Sequence, residues 1–158
     1  MSKNKDIVTN RGMVRAEFNF FVGKYMDKMF DEFENRKLVG NQCPKCKDVF
    51  LPPRKICGKC HVTIPLEENW VDLPDTGTVV NYTLSPYKIN ERGARTVKSN
   101  KMIGMIQMDG CSSSIIYELL DMEPEDLEIG MKVRLKWAKK PKGRPGDIEG
   151  FTKAGGAE

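Results

Sequence analysis

Four cysteines carry the clearest chemistry in this chain. They fall as Cys43-x2-Cys46 and Cys57-x2-Cys60, with ten residues between the pairs. A C-x-x-C turn aims two thiolates at one point, and two such turns close a tetrahedron of sulfur around Zn²⁺ at about 2.3 Å. Iron fits the same four sulfurs, but zinc is the usual metal of such ribbons. Two disulfides are the competing arrangement, disfavoured in a chain read as cytosolic. Pro44 and Gly58 suit tight turns, and Lys45 and Lys59 offset the charge of a four-thiolate site. Four protein ligands leave no open coordination position. The zinc is therefore expected to be structural, stapling a segment too short to fold by burial alone.

The other reactive residue types offer little. Cys111, after Asp109-Gly110, begins an apolar strand and reads as a small buried hydrophobe rather than a nucleophile. His61 is the one histidine and directly follows Cys60. It reads as a surface or second-sphere residue, because a general base needs a nearby nucleophile and an orienting partner. With one histidine and no Gly-rich phosphate loop, no catalytic constellation is recognisable, and any chemistry is expected to come from another subunit.

The elements that must position these residues follow from periodicity. Val14, Phe18, Val22, Tyr25, Met29 and Phe33 recur at helical spacing, widened by Phe21, Met26 and Phe30. This predicts a helix from Val14 that ends near Lys37 or Leu38, or a helix pair broken at Gly23. Its apolar stripe is more than a small ribbon covers, so it packs on the chain's own C-terminal part or on a partner, the partner being favoured. Residues 39–66 form the ribbon, with a short strand at Val49–Leu51 before Pro52-Pro53-Arg54. Strands are predicted at Trp70–Leu73, Thr78–Leu84, Met102–Met108, Ile115–Leu120, Met131–Trp137 and Asp147–Lys153, with a hairpin at Asp109-Gly110. Five or six short antiparallel strands suggest a small closed barrel of the OB type. The expected class is α+β, mainly β: an N-terminal helical segment (1–38), a rubredoxin-like zinc ribbon (39–66) and an OB-fold barrel (67–158).

Composition bounds the remaining possibilities. The 158 residues are 39% hydrophobic and 30% charged, with a mean hydropathy of −0.49. No run approaches the ~18 apolar residues of a membrane span, and no apolar leader follows the polar start, so a cytoplasmic protein is expected. The net charge of +4 is too mild for a dedicated nucleic-acid binder. Its distribution is uneven. Residues 118–128 hold six acids and no base, residues 132–144 seven bases and no acid, and residues 88–101 five bases against Glu91. Such segregation either forms separate binding faces or is a solvated surface with local imbalance.

The order of parts resembles a known family. A helix, then Leu38-x-Gly40-x-x-Cys43-Pro44-x-Cys46 and Phe50-x-Pro52-Pro53-Arg54-x-x-Cys57-x-x-Cys60, is similar to the ribbon of an acyl-CoA-associated zinc-ribbon and OB-fold family. That family was once catalogued as a domain of unknown function, number thirty-five. Trp70-x-x-Leu73, Gly77-x-Val79-x-x-Tyr82-Thr83, Ile103-Gly104 to Gly110 and Ile129-Gly130-Met131-x-Val133 continue the likeness, which spans roughly residues 15–153. The basic stretch 88–101 departs from it, replacing an apolar Pro-Tyr approach of which Pro86-Tyr87 is the displaced equivalent.

The resemblance implies a non-catalytic subunit that accompanies thiolases, hydroxymethylglutaryl-CoA synthases or CoA-ester hydratases. By length it is similar to the small subunits of thiolase complexes in anaerobic toluene breakdown. It further implies a hetero-oligomer with a thiolase-fold catalytic subunit, with coenzyme A or an acyl-CoA as a shared ligand. Arg92, Arg95, Lys139 and Lys140 are then candidate contacts to the CoA phosphates. The competing readings are a single-stranded nucleic-acid-binding protein stacking bases on Tyr82, Tyr87, Tyr117 and Trp137, and a scaffold whose barrel holds no ligand.

Overall fold

The computed structural model describes residues 12, 16–18, 20–89 and 96–155. Among them run α1 (Lys24–Phe33), β1 (Leu38–Gln42), β2 (Val49–Phe50), β3 (Trp70–Leu73), β4 (Thr76–Ile89), β5 (Thr96–Met108), β6 (Ser114–Leu119), β7 (Lys132–Trp137) and β8 (Ile148–Lys153). None of the described helices is long and apolar enough to cross a membrane.

The helix is shorter than its sequence pattern. It begins after Gly23, whose φ of 90° is a conformation that side chains with a Cβ rarely adopt. Phe18, Phe20 and Phe21 lie before it and are exposed. Gly23 thus interrupts the stripe, and the helix closes at Phe33, ahead of the expected Lys37. The half that is helical packs on the chain itself, correcting the expectation that a partner covers it. Met29, Phe30 and Phe33 are buried in a core shared with the barrel. Phe33 meets Phe30 edge-on at 5.5 Å and Trp137 at 5.3 Å.

The strands form two sheets. β2, β1 and β3 make a three-stranded antiparallel ribbon sheet, with Leu38 opposite Leu73 and Asn41 opposite Trp70. Trp70–Leu73, which reads in sequence as the first barrel strand, thereby completes the ribbon. The other five close a barrel in the order β4-β5-β6-β8-β7. Its patterning is that of a half-buried sheet: Val133 and Leu135 point inward between exposed Lys132 and Arg134. One pair departs from the all-antiparallel expectation, because β6 and β8 run parallel, with Leu119 opposite Phe151. Gly150 permits this closure, since a Cβ there would lie 2.5 Å from the Glu118 carbonyl.

Folding interleaves the charges that the sequence segregates. Lys132 pairs with Asp109 at 2.7 Å, Lys136 with Asp121 at 2.8 Å and Arg134 with Asp75 at 3.8 Å. Lys101 reaches Glu118. These exposed pairs are screened by solvent and add little stability, but they turn much of the imbalance into an ordinary solvated surface.

Ribbon and barrel are joined by backbone-like bonds. The Ser113 hydroxyl donates to the Leu51 carbonyl and accepts from the Leu51 N–H, both at 2.9 Å. The Ser112 N–H donates to the Val49 carbonyl at 2.8 Å. The helix holds the other side. The Tyr25 hydroxyl donates to the Ile64 carbonyl at 2.6 Å, and Lys28 lies 5.1 Å over the Trp70 ring.

Candidate metal centre and its surroundings

The two cysteine turns are built alike. In the first, the Cys46 N–H points at the Cys43 sulfur (3.5 Å), the Lys47 N–H donates to the Cys43 carbonyl (3.0 Å) and the Cys43 N–H to the Asp48 carbonyl (2.8 Å). In the second, the Cys60 N–H points at the Cys57 sulfur (3.4 Å), the His61 N–H donates to the Cys57 carbonyl (2.9 Å) and the Cys57 N–H to the Val62 carbonyl (3.0 Å). Lys47 and His61 occupy matching left-handed positions, at φ 64° and 56°. His61 is exposed and serves the turn through its backbone, in keeping with the surface reading. Lys59 of the second turn reaches Asp48 of the first at 3.7 Å.

These turns bring the four sulfurs within 4.8 Å of one another. Zn–S bonds of about 2.3 Å define a tetrahedron with edges of about 3.8 Å, and the Cys46 and Cys57 sulfurs are 3.7 Å apart. Cys43 and Cys57 are buried, Cys46 and Cys60 half-buried. Burial raises the Cys43 thiol, but the N–H groups of Cys46 and Lys45 and the neighbouring thiols bring it down to about 7. Burial, with the Cys57 and Cys43 sulfurs nearby, pushes Cys60 up. Four thiolates this close repel one another strongly, and a divalent cation relieves that repulsion. The donor set and its spacing fit a structural zinc held by Cys43, Cys46, Cys57 and Cys60. Around it Phe50 and Ile64 form a small separate core, and Arg54 caps the Phe50 ring at 4.3 Å.

Asn41 was not singled out in the sequence. It is fully buried, and its side chain donates to the Arg54 carbonyl at 2.7 Å and accepts the Arg54 N–H at 3.1 Å. It ties β1 to the segment that leads into the second turn. Cys111 is buried and its thiol is raised to about 11 by that burial. This suits packing and opposes nucleophilicity.

The candidate phosphate contacts separate. Arg92 and Arg95 lie outside the described residues. Lys139 and Lys140 are exposed on the bend after β7. The structure adds Arg36, which the sequence reading passed over, donating from Nη2 to the Lys139 carbonyl at 3.2 Å. Beside it a recess of about 320 Å³ is lined by Arg36, Lys37, Asp72, Asp75 and Trp137 among others. The bend itself is held by Asp147, a buried acid that accepts the N–H groups of Lys142 (2.8 Å) and Arg144 (2.9 Å). A larger, apolar groove of about 550 Å³ runs between α1, Leu51-Pro52 of the ribbon and β6.

Two domain models match this chain: the rubredoxin-like zinc ribbon domain of ChsH2 over residues 30–65, and its C-terminal OB-fold domain over residues 70–138. The chain thus carries a ribbon and a barrel that are each similar to a ChsH2 domain. Among curated proteins it is 31% identical over 96 residues to a DUF35 domain-containing scaffold protein of Methanocaldococcus jannaschii. That match covers 61% of this chain and 64% of the relative, so just under two thirds of the relative's length is spanned. Among solved structures, a chain of an Ltp2-ChsH2(DUF35) aldolase superposes with a TM-score of 0.62 at 21% identity, over 86% of this chain and 99% of that one. A DUF35-family protein of unknown function from Sulfolobus solfataricus superposes with a TM-score of 0.52 at 23% identity, over 69% of this chain and 75% of its own. Both share the fold of this chain. The four cysteines and the Pro52-Pro53-Arg54 turn lie inside the matched ribbon, and the barrel strands through β7 inside the matched OB-fold.

Proposed function

We propose that this chain is a non-catalytic scaffold subunit that docks on a thiolase-fold catalytic subunit and helps to form its CoA-ester site. The observation that carries this reading is the closed four-sulfur centre. A metal held by four protein thiolates stabilises a fold but has no position for substrate. The relative named as a scaffold protein supports the reading, as does the solved aldolase, whose name joins a DUF35 chain to a second protein.

In this role the chain's own residues bind and orient. Lys139 and Lys140 on the bend, and Arg36 beside them, offer charge-assisted contacts to the CoA phosphates, and Arg92 and Arg95 are proposed for the same role by their charge alone. Trp137, at the edge of the same recess, offers an apolar wall. Closing over a thioester also excludes water, which matters where CoA-dependent cleavage competes with hydrolysis.

The experiment is purification of the tagged chain from its own cells, with native mass spectrometry of what accompanies it. A thiolase-fold chain in fixed stoichiometry, and no turnover by this chain alone, are expected. Replacing Lys139 and Lys140 by glutamate is expected to raise the CoA concentration needed for half-maximal activity of the assembly about tenfold. Turnover by the isolated chain, or full activity of the larger subunit without it, overturns the proposal. So does tight, salt-dependent binding of single strands without any catalytic partner.

A further inference from the structure

The apolar stripe that begins the chain is only half used. Met29, Phe30 and Phe33 are buried against the barrel, whereas Phe18, Phe20 and Phe21 are 75%, 84% and 76% exposed. Gly23, at φ 90°, separates these rings from the helix that packs on the core. Immediately beyond it lies the groove of about 550 Å³, walled by Val22, Met26 and Phe30 on one side and by Leu51, Pro52 and Ile116 on the other. Ile116 is 65% exposed. It also borders a shallow recess on the barrel's outer face with Ile103 and Met105. Ile116 thus joins the groove to the outer face, and Val22 joins the groove to the arm.

Such a surface exceeds what a monomer ordinarily shows to water. Covered aromatic rings bury about 150 Å² each at the low end, so the three phenylalanines alone give about 450 Å². Adding the groove and Ile116 approaches the ~800 Å² that each partner contributes to a stable interface. Exposed aromatic clusters beside a preformed groove are also the usual seat of binding hot spots.

We infer that this face is the docking surface for the catalytic subunit, with Phe18, Phe20, Phe21 and Val22 lying on that subunit and a protruding apolar element of that subunit filling the groove. The inference rests on the scaffold reading above and assigns it a location. The occupant is a thiolase-fold chain: the apolar area approaches what one partner contributes to a stable interface, and a second copy seated here would cover the face that the scaffold offers the enzyme.

The test uses the full chain and the thiolase-fold subunit recovered with it. Light scattering of the free chain is expected to give a monomer. The double variant Phe20→Ser/Phe21→Ser is expected to bind the catalytic subunit at least 100-fold more weakly, with an unchanged melting temperature because both rings are exposed. Ile116→Ser is a second, independent probe of the groove rim, with a loss of about tenfold. Hydrogen exchange in the wild-type complex is expected to show new protection at residues 20–22 and 114–117. Unchanged affinity in both variants, or protection confined to the Lys139–Lys140 bend, overturns this surface while leaving the scaffold reading intact. A free-chain dimer that Phe20→Ser/Phe21→Ser dissociates also overturns it, because the occupant is then a second copy. A wild-type chain that binds no thiolase-fold subunit sinks the scaffold reading itself.

Discussion

Replacing Phe33 by alanine separates the two halves of the N-terminal stripe by their cost. Phe33 is 1% exposed and its ring edge rests on both Phe30 and Trp137. Phe→Ala at a fully buried site costs about 3–5 kcal/mol, which includes the cavity left behind. Loss of two edge-to-face contacts places the expectation toward the upper end. At about 2–4 °C per kcal/mol for a chain of this size, the melting temperature is expected to fall by roughly 6–20 °C. The control is Phe21→Ala, which removes an equal side chain from an exposed site and is expected to stay within about 0.5 kcal/mol. Both are measured by thermal unfolding with zinc in excess, following near-ultraviolet circular dichroism and tryptophan fluorescence. Trp137 loses an apolar neighbour only in the first variant, so only there is its emission expected to shift to the red. A Phe33→Ala melting temperature within 2 °C of wild type, or a Phe21→Ala loss of equal size, refutes the packing of α1 on its own barrel.

Three further outcomes follow from the geometry. Cys57→Ser is expected to abolish stoichiometric zinc, measured by elemental analysis, and to remove amide protection in residues 41–66 before the barrel strands lose theirs in hydrogen exchange. Ser113→Ala orphans the Leu51 N–H and carbonyl and is expected to cost about 1–3 kcal/mol in denaturant unfolding. Asp109 is held below its usual pKa by the Lys132 ammonium and the Thr76 hydroxyl. Its contribution is therefore present above the ordinary carboxylate range and is lost as pH falls through the depressed folded value. The gap between wild type and Asp109→Asn is expected to be at most about 1 kcal/mol at pH 7, since solvent screens the pair, and to close on acidification.

What was legible in the sequence was what local chemistry dictates. The two C-x-x-C turns, the Asp109-Gly110 hairpin and the alternation of Val133 and Leu135 with Lys132 and Arg134 each reflect a short-range rule, and each is found in the fold. The misses are non-local. Nothing within Trp70–Leu73 says that its partner is β1 rather than a barrel strand. The parallel pairing of β6 with β8 follows from barrel closure, which Gly150 permits but does not announce. Helical spacing from Val14 to Phe33 states which residues would share a face if the segment were helical. Gly23 offers a break, but the spacing does not state that the helix starts only after it. Asn41, Ser113 and Arg36 are ordinary polar residues whose roles arise only from the carbonyls that folding places beside them.

Leu51 belongs to two structures at once. Its main chain is bonded by Ser113 to the β5–β6 connection, it directly follows the ribbon's second strand, and its side chain is part of the apolar groove wall. Loss of the ion loosens that strand and so withdraws a side of the cleft more than a dozen residues in sequence from most of the groove's other lining. On the docking surface proposed above, zinc starvation is expected to cost assembly as well as a small folded module, and metal titrated back is expected to restore subunit capture and ribbon order along a single curve.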